Sequence, residues 1–151
     1  MKNWWYSSTE DLAVCSRSTL VEVGAVLPAA GRMVVARLDG ARMFDADHAL
    51  YEFSDALLFP DYFGWNWDAL SDCLRDLNWL SAEGHLLLVE DASQLLSSST
   101  PDRRTLFQIL SRAARYWASP LSKTPIAFKV LLLCDDDEQA DLLRQEVAGA
   151  G

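Results

Sequence analysis

Between Phe59 and Trp79 the chain carries six large aromatics, four aspartates and a single arginine. Carboxylates set among aromatic rings make a recognition surface: the acid accepts paired hydrogen bonds from a guanidinium, and the rings supply apolar area around it. Asp68, Asp72 and Asp76 recur every four residues. On a helical projection they lie nearly opposite Leu70, Leu74 and Leu77, so the three carboxylates should face solvent in one row. Like charges at that spacing cost a helix a few tenths of a kcal/mol. The helix dipole offsets this at Asp68 but scarcely at Asp72, which is beyond the first turn. Pattern alone leaves two readings, a solvated acidic face or a surface shaped to receive a cation.

Other residues that could do chemistry are less suited to it. His48 falls at the start of one element and His85 at the start of another, and no acid-base pair is indicated; each reads as a surface or half-buried histidine rather than a base. Asp135, Asp136, Asp137 and Glu138 are consecutive, so on a forming helix they point in different directions and lack the alternate spacing of a calcium loop. Cys73 falls on an apolar helix face and Cys134 at a strand end, where a thiol is core rather than nucleophile. Cys15 completes an odd set of three, with neither a CxxC pair nor a metal spacing. Arg103, Arg104, Arg112 and Arg115 give one helix a basic side, read as balancing neighbouring acids. No Walker, GxGxxG or HExxH motif is present. The residues point to no enzyme, no metal and no cofactor.

Composition sets the frame. The chain has 151 residues, 50% of them hydrophobic and 23% charged, which is the profile of one ordered domain. Thirteen Lys and Arg against 22 Asp and Glu give a net charge of −9, which argues against a nucleic-acid or anionic-membrane binder and favours a basic partner. No run approaches the roughly 20 apolar residues needed to cross a bilayer. No signal-peptide pattern follows Met1, so the expected location is the cytoplasm.

The elements that must hold the aspartate row can be read from period and punctuation. Residues 1–31 read as an N-terminal extension: aromatic at Trp4, Trp5 and Tyr6, polar from Ser7 to Thr19, with a short strand near Leu20 to Val26. Met33 to Leu38 is a short apolar strand stopped by Asp39-Gly40. Ala46, Leu50, Phe53 and Leu57 mark a helix capped by Asp45 or Asp47 and ended before Pro60. Asn66 is a good cap for the next helix, in which Leu70, Cys73, Leu74 and Leu77 form the buried face. His85 to Glu90 is a second strand. Thr100-Pro101 opens a third helix, with Leu106, Phe107, Leu110, Ala114 and Trp117 inward and Pro120 closing it. Phe128 to Leu133 is the third strand, and Asp135 to Val147 a terminal helix with an acidic first turn. Strands separated by helices imply a parallel sheet, so the fold class is α/β with a small three-stranded sheet.

The segment Pro60-Asp61-Tyr62-Phe63-Gly64-Trp65-Asn66-Trp67-Asp68-Ala69-Leu70-Ser71-Asp72-Cys73-Leu74 resembles the aromatic loop and second helix of the barstar family, intracellular inhibitors of a secreted ribonuclease. The order of elements from about Met33 to Leu133 is similar too. Tyr62, Gly64, Asn66, Asp68, Leu70, Asp72, Cys73 and Leu74 stand in the family's register. The resemblance implies a barstar-like domain over residues 32–151 that plugs the active site of a basic, barnase-like ribonuclease as a monomer binding 1:1. Asp72 then matches the acid that takes the place of a substrate phosphate, and Asp68 its neighbour pairing with an arginine at the rim. The partner-binding residues implied are Tyr62, Phe63, Gly64, Asn66, Trp67, Asp68, Ser71, Asp72, Arg75 and Asp76. The chain departs from the family at Ser71, where barstar has tryptophan, at Trp67 for leucine, Trp65 for glutamate and Asp76 for glycine. Trp65 and Trp67 could replace the lost contact area, since tryptophan is enriched at binding hot spots. The alternative expectation is an interaction or immunity protein that kept the fold and is directed at a different toxin.

Overall fold

The computed structural model describes residues 11–18, 31–119 and 127–150. Four strands, β1 (Leu12–Ser16), β2 (Met33–Asp39), β3 (Gly84–Glu90) and β4 (Ala127–Cys134), form one sheet in the order β1-β4-β3-β2, parallel at every pairing. Among the described residues four helices accompany them: α1 (Ala46–Leu57), α2 (Trp67–Leu74), α3 (Thr100–Ala118) and α4 (Asp137–Ala150). A short 3-10 turn over Ala92–Gln94 follows β3. None of the described helices is long and apolar enough to cross a membrane.

The sheet has four strands, which corrects the expected three. The additional strand is Leu12–Ser16, inside the stretch read as polar, and it pairs with β4 from Leu12 opposite Val130 to Ser16 opposite Cys134. Its apolar run is only Leu12-Ala13-Val14-Cys15, flanked by Asp11 and by Ser16, Arg17 and Ser18. A strand that short is fixed by pairing and burial rather than by its own pattern. The strand expected near Leu20 to Val26 and the closing role given to Pro120 lie outside the described residues.

Burial on both faces explains why the strands read as continuous apolar runs. Leu86 and Leu88 share one face with Ala13, Cys15, Leu131 and Leu133. Leu87 and Val89 share the other with Val14, Leu38, Val130 and Leu132, and that face packs on the helices through Phe53, Leu70, Phe107, Leu110 and Leu143. Gly40 is needed where β2 ends. Its N–H donates to the Glu90 carbonyl at 2.7 Å, and a Cβ there would meet the Asp91 carbonyl oxygen at 2.3 Å.

Caps fix the helix starts. The Asp45 side chain accepts from the His48 N–H, and that of Asn66 from the Ala69 N–H. Ser99, rather than Thr100, caps α3, which puts Thr100 and Pro101 inside its first turn. The Gln139 N–H donates to Asp136 at 2.8 Å, so α4 begins at Asp137 and runs to Ala150.

Candidate functional site

The turn leading into α2 is built by backbone and ring packing. Leu58 closes α1 in the left-handed conformation, and the Phe59 N–H donates to the Ser54 carbonyl at 3.0 Å. A second turn follows, with the Phe63 N–H on the Pro60 carbonyl at 3.0 Å. Below it Phe59 packs edge-on against Phe63 and Trp79, with ring centroids 4.8 and 5.9 Å apart. The Trp79 indole N–H donates to the Leu57 carbonyl at 2.9 Å. These rings fill the underside of the loop and fix its direction.

Two aromatics remain on the outside. Tyr62 is 67% exposed and Trp65 54% exposed, the former edge-on to Trp79 and the latter tilted against Phe63 at 4.9 Å. Trp65 takes a φ of 56°, whereas Gly64 does not occupy that region. A bulky residue in the left-handed region is strained and persists only where its surroundings hold it. Here the Phe63 ring and the start of α2 hold it.

The Asn66 side chain accepts the Ala69 N–H at 2.8 Å and so sets the first turn of α2. Leu70, Cys73 and Leu74 on the inner face are buried. The outer face carries Asp68 and Asp72, both exposed, followed by exposed Asp76 just past the helix. Asp72 is 77% exposed, and Nη2 of Arg75, itself 43% exposed, lies 3.1 Å from its Oδ1. The Tyr62 hydroxyl is 3.5 Å from Asp76 Oδ2. Partial burial and the nearby Asp76 carboxylate both raise the Tyr62 pKa, so the phenol stays protonated and remains a donor. Asp68 and Asp72 thus stand on the outer face of the helix as their spacing predicts, whereas the helix ends before Asp76, which is exposed beyond it; one cation lies beside Asp72.

The other residues expected at the site divide into two groups. Tyr62, Gly64, Asn66, Asp68, Asp72, Arg75 and Asp76 are exposed along the loop and the outer face of α2. Phe63 is turned into the core, and Ser71 and Trp67 are half-buried. Trp67 lies against the core, with its indole N–H 3.3 Å from Asp102 Oδ1 on α3. Asp102 had no signal in the sequence, because only the packing of α2 on α3 brings it to the loop. Trp117 completes that packing by donating its indole N–H to the Leu74 carbonyl at 2.8 Å.

The remaining chemical candidates are occupied in structural ways. Burial, then Asp76 and Asp72, raises the Cys73 thiol pKa, the opposite of a nucleophile's need. Exposed His48 bonds Asp45 through Nδ1 at 2.7 Å and stacks on Phe44. His85 is fully buried, which corrects the surface or half-buried placement; its Nε2 lies 2.9 Å from the Leu80 carbonyl. Its neighbours on the same strand face are core residues, so the ring had nowhere else to go. Asp135 pairs with Arg17, Asp136 caps α4, and Asp137 accepts from Ser16 and Ser18. Glu90 and Asp91, at the end of β3, pair with Arg37 and Arg17. Among the described residues no group of His, Cys, Asp and Glu could hold a metal ion.

Compared with known proteins, residues 33–132 match the family model described as Barstar (barnase inhibitor). No curated protein matches the chain. The matched span begins at β2 and ends in β4, so it includes the aromatic loop and all of α2, while β1 and α4 flank it.

Proposed function

The chain belongs to the barstar family, and from that premise we propose that it inhibits a basic ribonuclease by seating the outer face of α2 in the enzyme's active-site cleft. The observation that carries this reading is the exposed row of Asp68, Asp72 and Asp76 beside the outward rings of Tyr62 and Trp65. A ribonuclease cleft is lined with cations because it binds phosphates. A carboxylate offers a guanidinium the same pair of acceptor oxygens, so Asp72 takes the phosphate's place and Asp68 pairs one turn away, at the rim.

Preorganisation supports the same reading. The row stands on a helix whose start is capped by Asn66 and whose inner face is locked by Leu70 and Leu74, so little ordering is lost on binding. A net charge of −9 steers a basic partner toward the surface and makes association sensitive to salt. The protein acts by occlusion as a binding protein, performs no chemistry itself and requires no cofactor. It works in the cytoplasm as a monomer forming a 1:1 complex, and so protects the producing cell. A titration into a barnase-type ribonuclease, with the Asp72→Ala variant alongside, tests the proposal.

The pairing of Arg75 with Asp72, together with serine at position 71, favours a second reading: an immunity protein of the same fold directed at a different toxin. Affinity capture from the producing cell separates the two. A basic ribonuclease dominates the eluate under the first reading and is absent under the second.

A further inference from the structure

We propose that a second site, the cleft where β1 meets α3 and α4, binds a small oxyanion with an apolar body. The cleft has a volume of about 380 Å³ and is walled by Leu12, Val14, Val147 and Ala148, with Arg115 and Arg144 reaching into it and the buried Ser111 beside them. Small-ligand sites begin at about 300 Å³ and combine apolar walls with a few convergent polar groups. It shares no residue with the surface of α2.

Two guanidiniums on one apolar-walled cleft are notable in a chain of net charge −9. Each is pinned on one side. Arg115 Nε donates to the Ser111 carbonyl at 3.3 Å and lies 3.1 Å from Asp11 Oδ2. Arg144 gives Nη1 to Asp141 at 2.6 Å and Nη2 to the Val14 carbonyl at 2.9 Å. No bond within the described residues occupies the terminal amino groups of Arg115 or the Nε of Arg144. The stems are thus held in place while, among the described residues, these donors stay available, which lowers the ordering cost of a ligand.

The ligand's charge follows from these donors. Guanidiniums carry N–H donors and no acceptor, so they repel a cation and offer a neutral alkyl chain nothing beyond the walls. Asp11, the one carboxylate among the described lining residues, already rests on Arg115, as Asp141 beyond the lining does on Arg144, and each competes with a ligand for its guanidinium. A ligand carboxylate or phosphate completes the same chemistry across both arginines, with its hydrocarbon against Leu12, Val14 and Val147.

The test is an NMR titration of the full chain at constant ionic strength with hexanoate, hexan-1-ol, hexylammonium and inorganic phosphate. Hexanoate should give saturable shifts at Val14, Ser111 and Val147 in the millimolar range, and the alcohol and the amine none. Arg115→Gln and Arg144→Gln should each weaken hexanoate at least about tenfold with the fold intact, and Asp11→Asn should tighten it. If Arg144→Gln unfolds, Arg115→Gln decides, since its side chain is half-exposed. Shifts that stay linear with concentration, equal binding of the alcohol, or indifference to Arg115→Gln overturn the site. Phosphate binding as tightly as hexanoate overturns the apolar half of the proposal.

Discussion

Arg75 follows Asp72 by three residues at the end of α2, and its Nη2 sits 3.1 Å from the Asp72 Oδ1. The acid proposed to meet a partner's arginine is thus already touched by one of the chain's own cations. Arg75 is held in this position by a second bond, from Nε to the Ser71 carbonyl at 3.3 Å. A partner bound as proposed must displace the guanidinium or share the carboxylate with it.

Removing this competitor should strengthen binding. Exposed ion pairs contribute about 0.2–1 kcal/mol, so Arg75→Ala should tighten the complex by no more than about fivefold. The gain should shrink in high salt. Isothermal titration at two ionic strengths checks it; weaker binding of the variant would make Arg75 a direct contact with the partner.

Gly64 and Trp65 make opposite predictions from those their residue types suggest. A Cβ at Gly64 would meet Ala69 Cβ at an ordinary 3.4 Å, so Gly64→Ala should shift the melting temperature little. Trp65, with its φ of 56°, carries the strain. Trp65→Gly should leave thermal stability unchanged or higher while lowering partner affinity, because it relieves backbone strain on the order of 1 kcal/mol and removes an exposed indole. Thermal melts and binding measured on the same samples separate the two effects.

Trp67 is half-buried and bonded to Asp102, so its part in the support can be separated from any part in binding. Trp67→Phe keeps a ring but loses the hydrogen bond to Asp102, worth on the order of 1 kcal/mol. The expected result is a lower urea midpoint with affinity unchanged within about twofold. Affinity falling with no loss of stability would place the indole in the interface.

His85 makes stability depend on pH. Burial lowers its pKa, only partly opposed by its bond to the Leu80 carbonyl. Among the described residues its Nδ1 has no hydrogen-bond partner. As pH falls the unfolded ring takes up a proton near pH 6.5, while the folded ring resists until lower pH. In that window the unfolded state binds more protons, so stability is full above about pH 6.5 and declines below it. The melting temperature of the wild-type chain should drop between about pH 7 and pH 5, and that of His85→Leu should drop less. Parallel slopes would remove His85 from the account.

Much of this was legible in the chain. Strong periods marked β2, α1, α2, β3, α3 and β4, and the caps at Asp45 and Asn66 stood next to them. The spacing of Asp68 and Asp72 put those carboxylates on one face because that face is a matter of helical geometry alone, whereas Asp76 falls past the end of α2, which the spacing did not show. What escaped depends on tertiary contact. Strand β1 has four apolar residues and is recognisable only beside β4. Trp67 reads as an exposed aromatic until Asp102 arrives from α3, and the left-handed residue of the loop is the tryptophan rather than the adjacent glycine.

The most direct test of the central claim is stoichiometric titration of the chain into a barnase-type ribonuclease, following RNA cleavage at low and moderate salt. The account predicts complete inhibition at one equivalent, weaker at higher salt. It predicts a loss of about a hundredfold or more in affinity for Asp72→Ala and a smaller loss for Asp68→Ala, with both variants folded because both residues are exposed. Inhibition that survives Asp72→Ala unchanged would contradict the assigned surface, and no inhibition at any salt would contradict ribonuclease binding of this type.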